Sequence, residues 1–248
     1  MRSRIEIVAQ YRSGSVPGAG RTVVTTIRAG YHFAGRQTGD GVVHLVGTAA
    51  GPLGGDDATI AVRLGPGAQL RLRSAGATIV QPGLHDPVSR LGMELQIGDD
   101  ARLDVACEPT VVIHRAEHRA RAEVELAGNG QVRLLEQVLL GRSNEPGGGW
   151  SGRTTLTRDG APELRHTLRS ALFAQEGVRV VSTLLVSGTG ARASTSGRAV
   201  ALPLAAGGML VTSTGPDALT VQADLLDAAA RALAPAAPAA PAAPTVTA

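Results

Sequence analysis

Lysine is missing from this chain: all 24 basic residues are arginine. That absence removes the phosphate-gripping lysine of a Gly-rich nucleotide loop and any Schiff-base chemistry. The single cysteine, Cys107, excludes an internal disulfide and a cysteine-cluster zinc site. In the run 103–112 (LDVACEPTVV) it reads as a small hydrophobe placed mid-strand. Aromatic residues amount to 2% of the chain: Tyr11, Tyr31, Phe33, Trp150 and Phe173. So few rings leave no platform for stacking bases, and no block of arginines forms an electrostatic footprint, so nucleic acid is not an expected partner. No apolar run reaches the ~20 residues that cross a bilayer, so no membrane partner is expected. The opening residues 1–10 (MRSRIEIVAQ) alternate and carry charge instead of forming an apolar secretory core, which points to a cytoplasmic location. Neither a Gly-x-Ser-x-Gly elbow nor a His-Glu-x-x-His motif occurs.

What remains is a globular composition: 248 residues, 43% hydrophobic, 18% charged, net charge +3, with 32 glycines and 14 prolines. A core built without aromatics must pack Val, Leu, Ile and Ala, and the glycines and prolines call for frequent turns. Period-two alternation dominates. Ile5, Ile7 and Ala9 share one face; so do Ile60, Val62 and Leu64; so do Leu70 and Leu72, Leu95 and Ile97, Leu103 and Val105, and Val124 and Leu126. Short β-branched runs at 23–27, 42–46 and 178–186, with further strands at 153–157, 163–170, 199–204 and 209–213, complete an all-β reading. Residues 187–197 read as a loop.

Three glycine-bearing turns recur, at 65–69, 98–102 and 127–131, with spacings of 33 and 29 residues. A period near 30 points to a layered or β-helix-like stack of strands. A sandwich of ordinary hairpins is the competing arrangement. One helix is predicted, opened by Pro216-Asp217 and running to Leu233, with Leu219, Leu225, Leu226, Ala229 and Leu233 as its apolar side. The expected organisation is a single β-rich domain over residues 1–233 and a disordered Ala/Pro tail over 234–248.

Few residues look chemical. His114 and His118 are four apart, which on a strand is about 13 Å, too far to share a metal. The pair Asp99-Asp100 sits in what reads as a hairpin turn, where Asp serves the turn. Asp56 differs, because Gly54 and Gly55 before it permit a close backbone approach that aims the acid inward. Glu108, read as mid-strand before Pro109, is an acid whose burial requires pairing or a wet cavity.

Three ordered segments then resemble a known family. They are residues 51–56 (GPLGGD) with the turn at 64–68, residues 75–78 (AGAT), and the pair 103–112 with Leu139-Leu140-Gly141-Arg142. Together, over residues 30–213, they resemble the urease accessory protein UreD, or UreH, family. Where that family commonly carries Gly-Glu after Leu-Gly-Arg, this chain has Asn144-Glu145 followed by Pro146-Gly147-Gly148-Gly149.

The resemblance implies a layered β fold with little helix and a scaffold in place of a catalyst. It implies binding to the urease apoprotein and to UreF, which docks the GTPase UreG, and nickel in transit to the urease site with no tightly bound cofactor. A conduit needs weak successive ligands, since a tight site traps the ion. Asp56 and Glu108 are the candidate passage residues, and Gly54, Gly55, Gly141, Arg142 and Glu145 the motif and partner candidates. Two other classes stand beside this one. A β-helical carbohydrate-active enzyme would use separated carboxylates such as Asp56 and Glu108. A plain β adaptor would be indifferent to nickel.

Overall fold

The structure is a computed structural model that describes residues 1–14, 20–173, 176–188 and 190–234. The expected tail at 235–248 lies outside the described residues. The chain opens with β1 (Arg2–Arg12) and its antiparallel neighbour β2 (Arg21–Arg28), then forms the antiparallel pair β3 (Phe33–Gly39) and β4 (Val42–Gly47). It then winds. One coil is β5 (Asp57–Leu64), β6 (Gln69–Ser74) and β7 (Thr78–Val80). The next is β8 (Val88–Ile97), β9 (Arg102–Ala106) and β10 (Thr110–Val112). The third is β11 (Glu117–Leu126) and β12 (Gln131–Leu140), whose length lets it pair with both β9 and β10. β13 (Gly149–Arg158) starts a fourth coil and reverses into β14 (Ala161–Arg169). A 3-10 turn at Ser170–Phe173 leads to β15 (Val180–Ser187), β16 (Ser194–Ser196), β17 (Ala199–Pro203), β18 (Gly208–Gly215) and α1 (Ala218–Leu233).

Two sheets result. The first runs β14-β13-β11-β8-β5-β1-β2, and the second β16-β17-β18-β15-β12-β9-β6-β4-β3 with β7 and β10 beside it. β1, β5, β8, β11 and β13 are parallel, as are β4, β6, β9 and β12. The turn spacings of the sequence are the coil lengths. Asp57 pairs with Arg90 and Gln69 with Arg102, 33 residues on. Val88 pairs with Glu117 and Arg102 with Gln131, 29 residues on. The glycine-bearing turns therefore carry the chain from one sheet to the other, and Asp99-Asp100 sits at such a corner instead of in a hairpin. Asp100 adopts φ +53 there, a conformation short polar side chains tolerate.

The main core lies between the sheets, filled by the alternating residues: Ile5, Ile7, Ile60, Val62, Leu95 and Leu156 from one, Leu70, Leu72, Leu103, Val132 and Leu134 from the other. Each buried aliphatic side chain contributes roughly 1.5–3 kcal/mol. A second cluster, with Val80, Val112, Val138, Leu140 and Trp150, fills the corner under β7 and β10. Helix α1 starts where expected, with Asp217 capping it by accepting from the Thr220 N–H at 2.9 Å. Its buried face keeps Leu225 and Ala229 of the expected set and replaces the rest. Val221, Leu225, Ala228, Ala229 and Ala232 pack on β15, β17 and β18, while Leu219, Leu226 and Leu233 face outward. A flat sheet admits the helix closely only where its face is small, so alanines won over leucines. β15 is consequently covered on both sides and is buried almost throughout its length, Ser182, Thr183 and Ser187 included. The expected loop at 187–197 contains the short strand β16.

Candidate functional site

Asp56 sits at the foot of β5, buried, and is fully engaged. The Met1 ammonium donates to Oδ1 at 2.7 Å; the Leu53 N–H and the His32 Nε2–H donate to Oδ2, each at 2.9 Å. Burial alone pushes this carboxyl up, but the ammonium, the Leu53 amide and His32 together outweigh it and hold the pKa down to about 2. Asp56 thus ties β1 to the loop before β5. Gly54 is required by close approach: a Cβ there would strike the Asp86 carbonyl and the Gly83 amide. Gly55 turns the chain with φ +89.

Glu108 is not mid-strand and not buried. It stands exposed in the connector between β9 and β10, with its N–H donating to Ser74 Oγ at 2.8 Å. Proline at 109 breaks the strand just before the corner, which is why the acid faces out. Cys107 is half-buried in the same connector, and burial pushes its thiol up to about 11, so it is protonated at neutral pH.

Gly141, Arg142 and Glu145 form one loop, 141–148, between β12 and β13. Gly141 takes φ +83. Arg142 donates from its backbone to Glu145 Oε1 at 2.8 Å and from its guanidinium to the same carboxylate at 3.2 and 3.3 Å. Arg142 therefore pairs locally with Glu145 and reaches neither Asp56 nor Glu108. Arg179, just before β15, fixes the loop from behind by donating to the Arg142 carbonyl at 2.6 Å and the Glu145 carbonyl at 2.9 Å. Asp56, Glu108 and this loop do not converge.

The residue the sequence reading passed over is Glu136. On β12 the inward positions are Val132, Leu134, 136, Val138 and Leu140, so a carboxylate stands on the otherwise apolar inward face of the strand. Opposite it β11 turns inward His118, Ala120 and Ala122, and β13 turns inward Thr154. These small side chains leave a cavity of about 50 Å³ between the sheets, lined also by Met93, Cys107, Thr183 and Glu108. That is room for a water or a partly hydrated ion. Glu136 separates the main core at Leu134 from the corner core at Val138. Desolvation pushes its carboxyl up to about 7. The signal was present in the sequence as a single acid at period two with four apolar residues.

His118 lines the same cavity and is 1% exposed. Its Nδ1 lies 2.8 Å from Ser89 Oγ, whose own proton goes to the Glu117 carbonyl at 3.3 Å. Ser89 therefore accepts from Nδ1–H, and the bare lone pair is on Nε2, which has no partner among the described residues. Burial pushes this imidazole down to about 4, so it is neutral, the state in which a histidine ligates cations. Among the described residues, no three His, Cys, Asp or Glu side chains are grouped closely enough to hold a metal ion. Among the described residues, no helix is long and apolar enough to cross a membrane.

The family model described as UreD urease accessory protein matches residues 15–247. A protein of Parafrankia sp. (strain EAN1pec) named urease accessory protein UreD is 36% identical over 242 residues, covering 83% of this chain and 82% of the relative. Urease accessory protein UreD 1 of Saccharopolyspora erythraea is 37% identical over 199 residues, covering 77% and 78%. Urease accessory protein UreD of Frankia alni is 36% identical over 214 residues, covering 73% and 70%.

Proposed function

Because the chain belongs to the UreD family of urease accessory proteins, it serves urease maturation and is not itself an enzyme, and we propose that it does so as a scaffold through whose interior nickel passes. In this reading it binds the urease apoprotein on one side and a UreF–UreG module on another. Nickel is cargo, held briefly and released.

The observation that carries the reading is Glu136 in the core phase of β12 beside a cavity lined by His118. A carboxylate among aliphatic side chains costs free energy unless a cation or proton compensates it. Such a position is kept where an ion must be met inside. Neutral His118, with its Nε2 lone pair unpartnered among the described residues, supplies a nitrogen ligand lining the same cavity as that oxygen ligand. One oxygen and one nitrogen bind nickel weakly, as transit demands. Glu108, exposed and lining the same cavity, stands as the residue an incoming ion meets first. Asp56, with both oxygens occupied, acts as a structural tie. The 141–148 loop, held rigid by Arg179 with Arg142 outward, is the segment we assign to partner contact.

The test is urease activation in cells that make urease with its accessory proteins at limiting nickel. Glu136→Gln keeps the shape and removes the charge, and is expected to lower activation several-fold while the variant chain melts no lower than the parent. Adding nickel to the medium recovers part of the loss. Full activation by Glu136→Gln at limiting nickel overturns the interior route.

A further inference from the structure

The outer face of the first sheet carries an arrangement the interior route does not use. Register places Arg90 beside Arg119 on β8 and β11, and Arg121 beside Arg153 on β11 and β13. Arg119 is next to Ser151, which is next to Arg169 on β14. Like charges directly opposed on neighbouring strands are destabilising. The sheet carries two such pairs, across the three strands β8, β11 and β13. Arg121 meets Glu94 and Glu123 at 3.9 and 3.7 Å. Among the described residues, Arg90, Arg119, Arg153 and Arg169 have no carboxylate within salt-bridge distance, and all four are exposed.

The surface there is concave. Gly92 lies beneath the Arg121 guanidinium, and Gly149 and Gly152 line the floor beside Ser151 and Thr167. The trough measures about 640 Å³; its walls are Arg119, Arg121, Arg153 and Arg169, with the single carboxylate of Glu117 at the end beside Gly149. Guanidinium forks spaced by the strands, with hydroxyls between them, match carboxylates carried on an extended chain. One row further along the strands the sign changes, because Glu94 and Glu123 are neighbours and Glu125 follows. A long polyanion crossing the trough would meet that acidic row and be repelled. No exposed aromatic residue on this face offers a base a stacking surface. A protein segment that is acidic and then basic satisfies both rows.

We propose that this trough is a docking surface for an acidic segment of a partner protein, with the neighbouring carboxylate row fixing the segment's direction. The arrangement works by charge complementarity, and so acts on association rate and specificity as much as on affinity. It is independent of whether nickel crosses the interior.

The test uses the full chain and a fluorescein-labelled peptide of alternating Glu and Ser, read by anisotropy at low salt. Arg119→Glu/Arg153→Glu is expected to weaken binding at least about tenfold, and Arg119→Gln/Arg153→Gln by less. Arg71→Glu/Arg102→Glu changes net charge equally on the outer face of the second sheet, and is expected to leave the affinity within about twofold. An equal loss from both glutamate pairs reduces the effect to net charge and overturns the site. So does failure of the parent chain to bind the peptide. Tighter binding of an oligothymidylate of the same charge, lost in the same variants, overturns the choice of a protein partner.

Discussion

The Nδ1–H of His118 donates to Ser89 at 2.8 Å from within the interior of the β8–β11 pair, and that bond fixes which nitrogen is bare. Burial of this imidazole has a consequence for pH. The folded pKa of about 4 lies below the ordinary value of 6.5. As pH falls through 6.5 the unfolded chain takes up a proton that the folded chain refuses. Stability is therefore lost on acidification, progressively down to about 4, by roughly 3 kcal/mol in all. His118→Phe is expected to flatten that slope in urea melts taken at several pH values. A slope unchanged in the variant assigns it to other groups.

Glu136 titrates with the opposite sign. Its folded pKa of about 7 lies above the ordinary 4.5, so the folded chain keeps a proton that the unfolded chain releases. Stability is lost as pH rises from about 4.5 to about 7 and is level above that. Glu136→Gln is expected to be more stable than the parent at pH 8, by about 3 kcal/mol, and equal to it near pH 4. Comparing each variant with the parent separates the two groups, whose windows overlap.

Arg179 holds the 141–148 loop through two carbonyls, and charge-assisted bonds of this kind contribute about 1.5–3 kcal/mol each. Arg179→Met keeps the aliphatic stem and removes both. Hydrogen exchange at the Arg142 and Glu145 amides is expected to rise well over tenfold, with a smaller fall in the global melt. Arg142→Ala removes only an exposed pair and is expected to cost less than about 1 kcal/mol. Equal exchange in the two variants contradicts the clamp.

The helix gives a sharp contrast. Leu225→Ala is expected to cost about 2–5 kcal/mol because it empties a packed site between α1 and the second sheet. Leu219→Ala, on a side chain 83% exposed, is expected to stay within about 0.5 kcal/mol. Chemical denaturation of the two single variants decides it.

At Gly54 and Gly55 two kinds of glycine can be told apart. Gly54→Ala forces a methyl into backbone atoms of residues 83 and 86 and is expected to cost about 3 kcal/mol. Gly55→Ala has room but a positive φ, and is expected to cost about 1–2 kcal/mol.

The alternating apolar pairs located the inner face of most coil strands, because one buried face imposes period two. The turn spacing even contained the coil lengths, 33 and 29. What the sequence did not disclose were relations between strands. Whether Asp99 lies in a hairpin or at a corner depends on which sheet receives β9, and no local pattern carries that. The helix face was right at Leu225 and Ala229 and misread at Leu219, Leu226 and Leu233, because leucine outranks alanine in hydrophobicity, while the sheet beneath rewards closeness. Glu108 was misplaced by assuming that the strand continued through Pro109. Glu136 was legible as an acid in apolar phase, but only its opposition to Ala120 and Ala122 reveals the space it faces. The resemblance carried by residues 51–56 and 139–142 named the family, and the fold around those residues agrees with it.

A stack of parallel coils has open ends, and each end is a template on which another chain can add a strand. In the first sheet both ends are closed by reversal: β2 runs against β1, and β14 against β13. A further coil of the same sense cannot continue the stack across a strand of opposite direction. The outermost strands add arginines at 21, 28, 165 and 169, and Pro162 withholds a donor. The first sheet therefore limits its own length as a fibre would not.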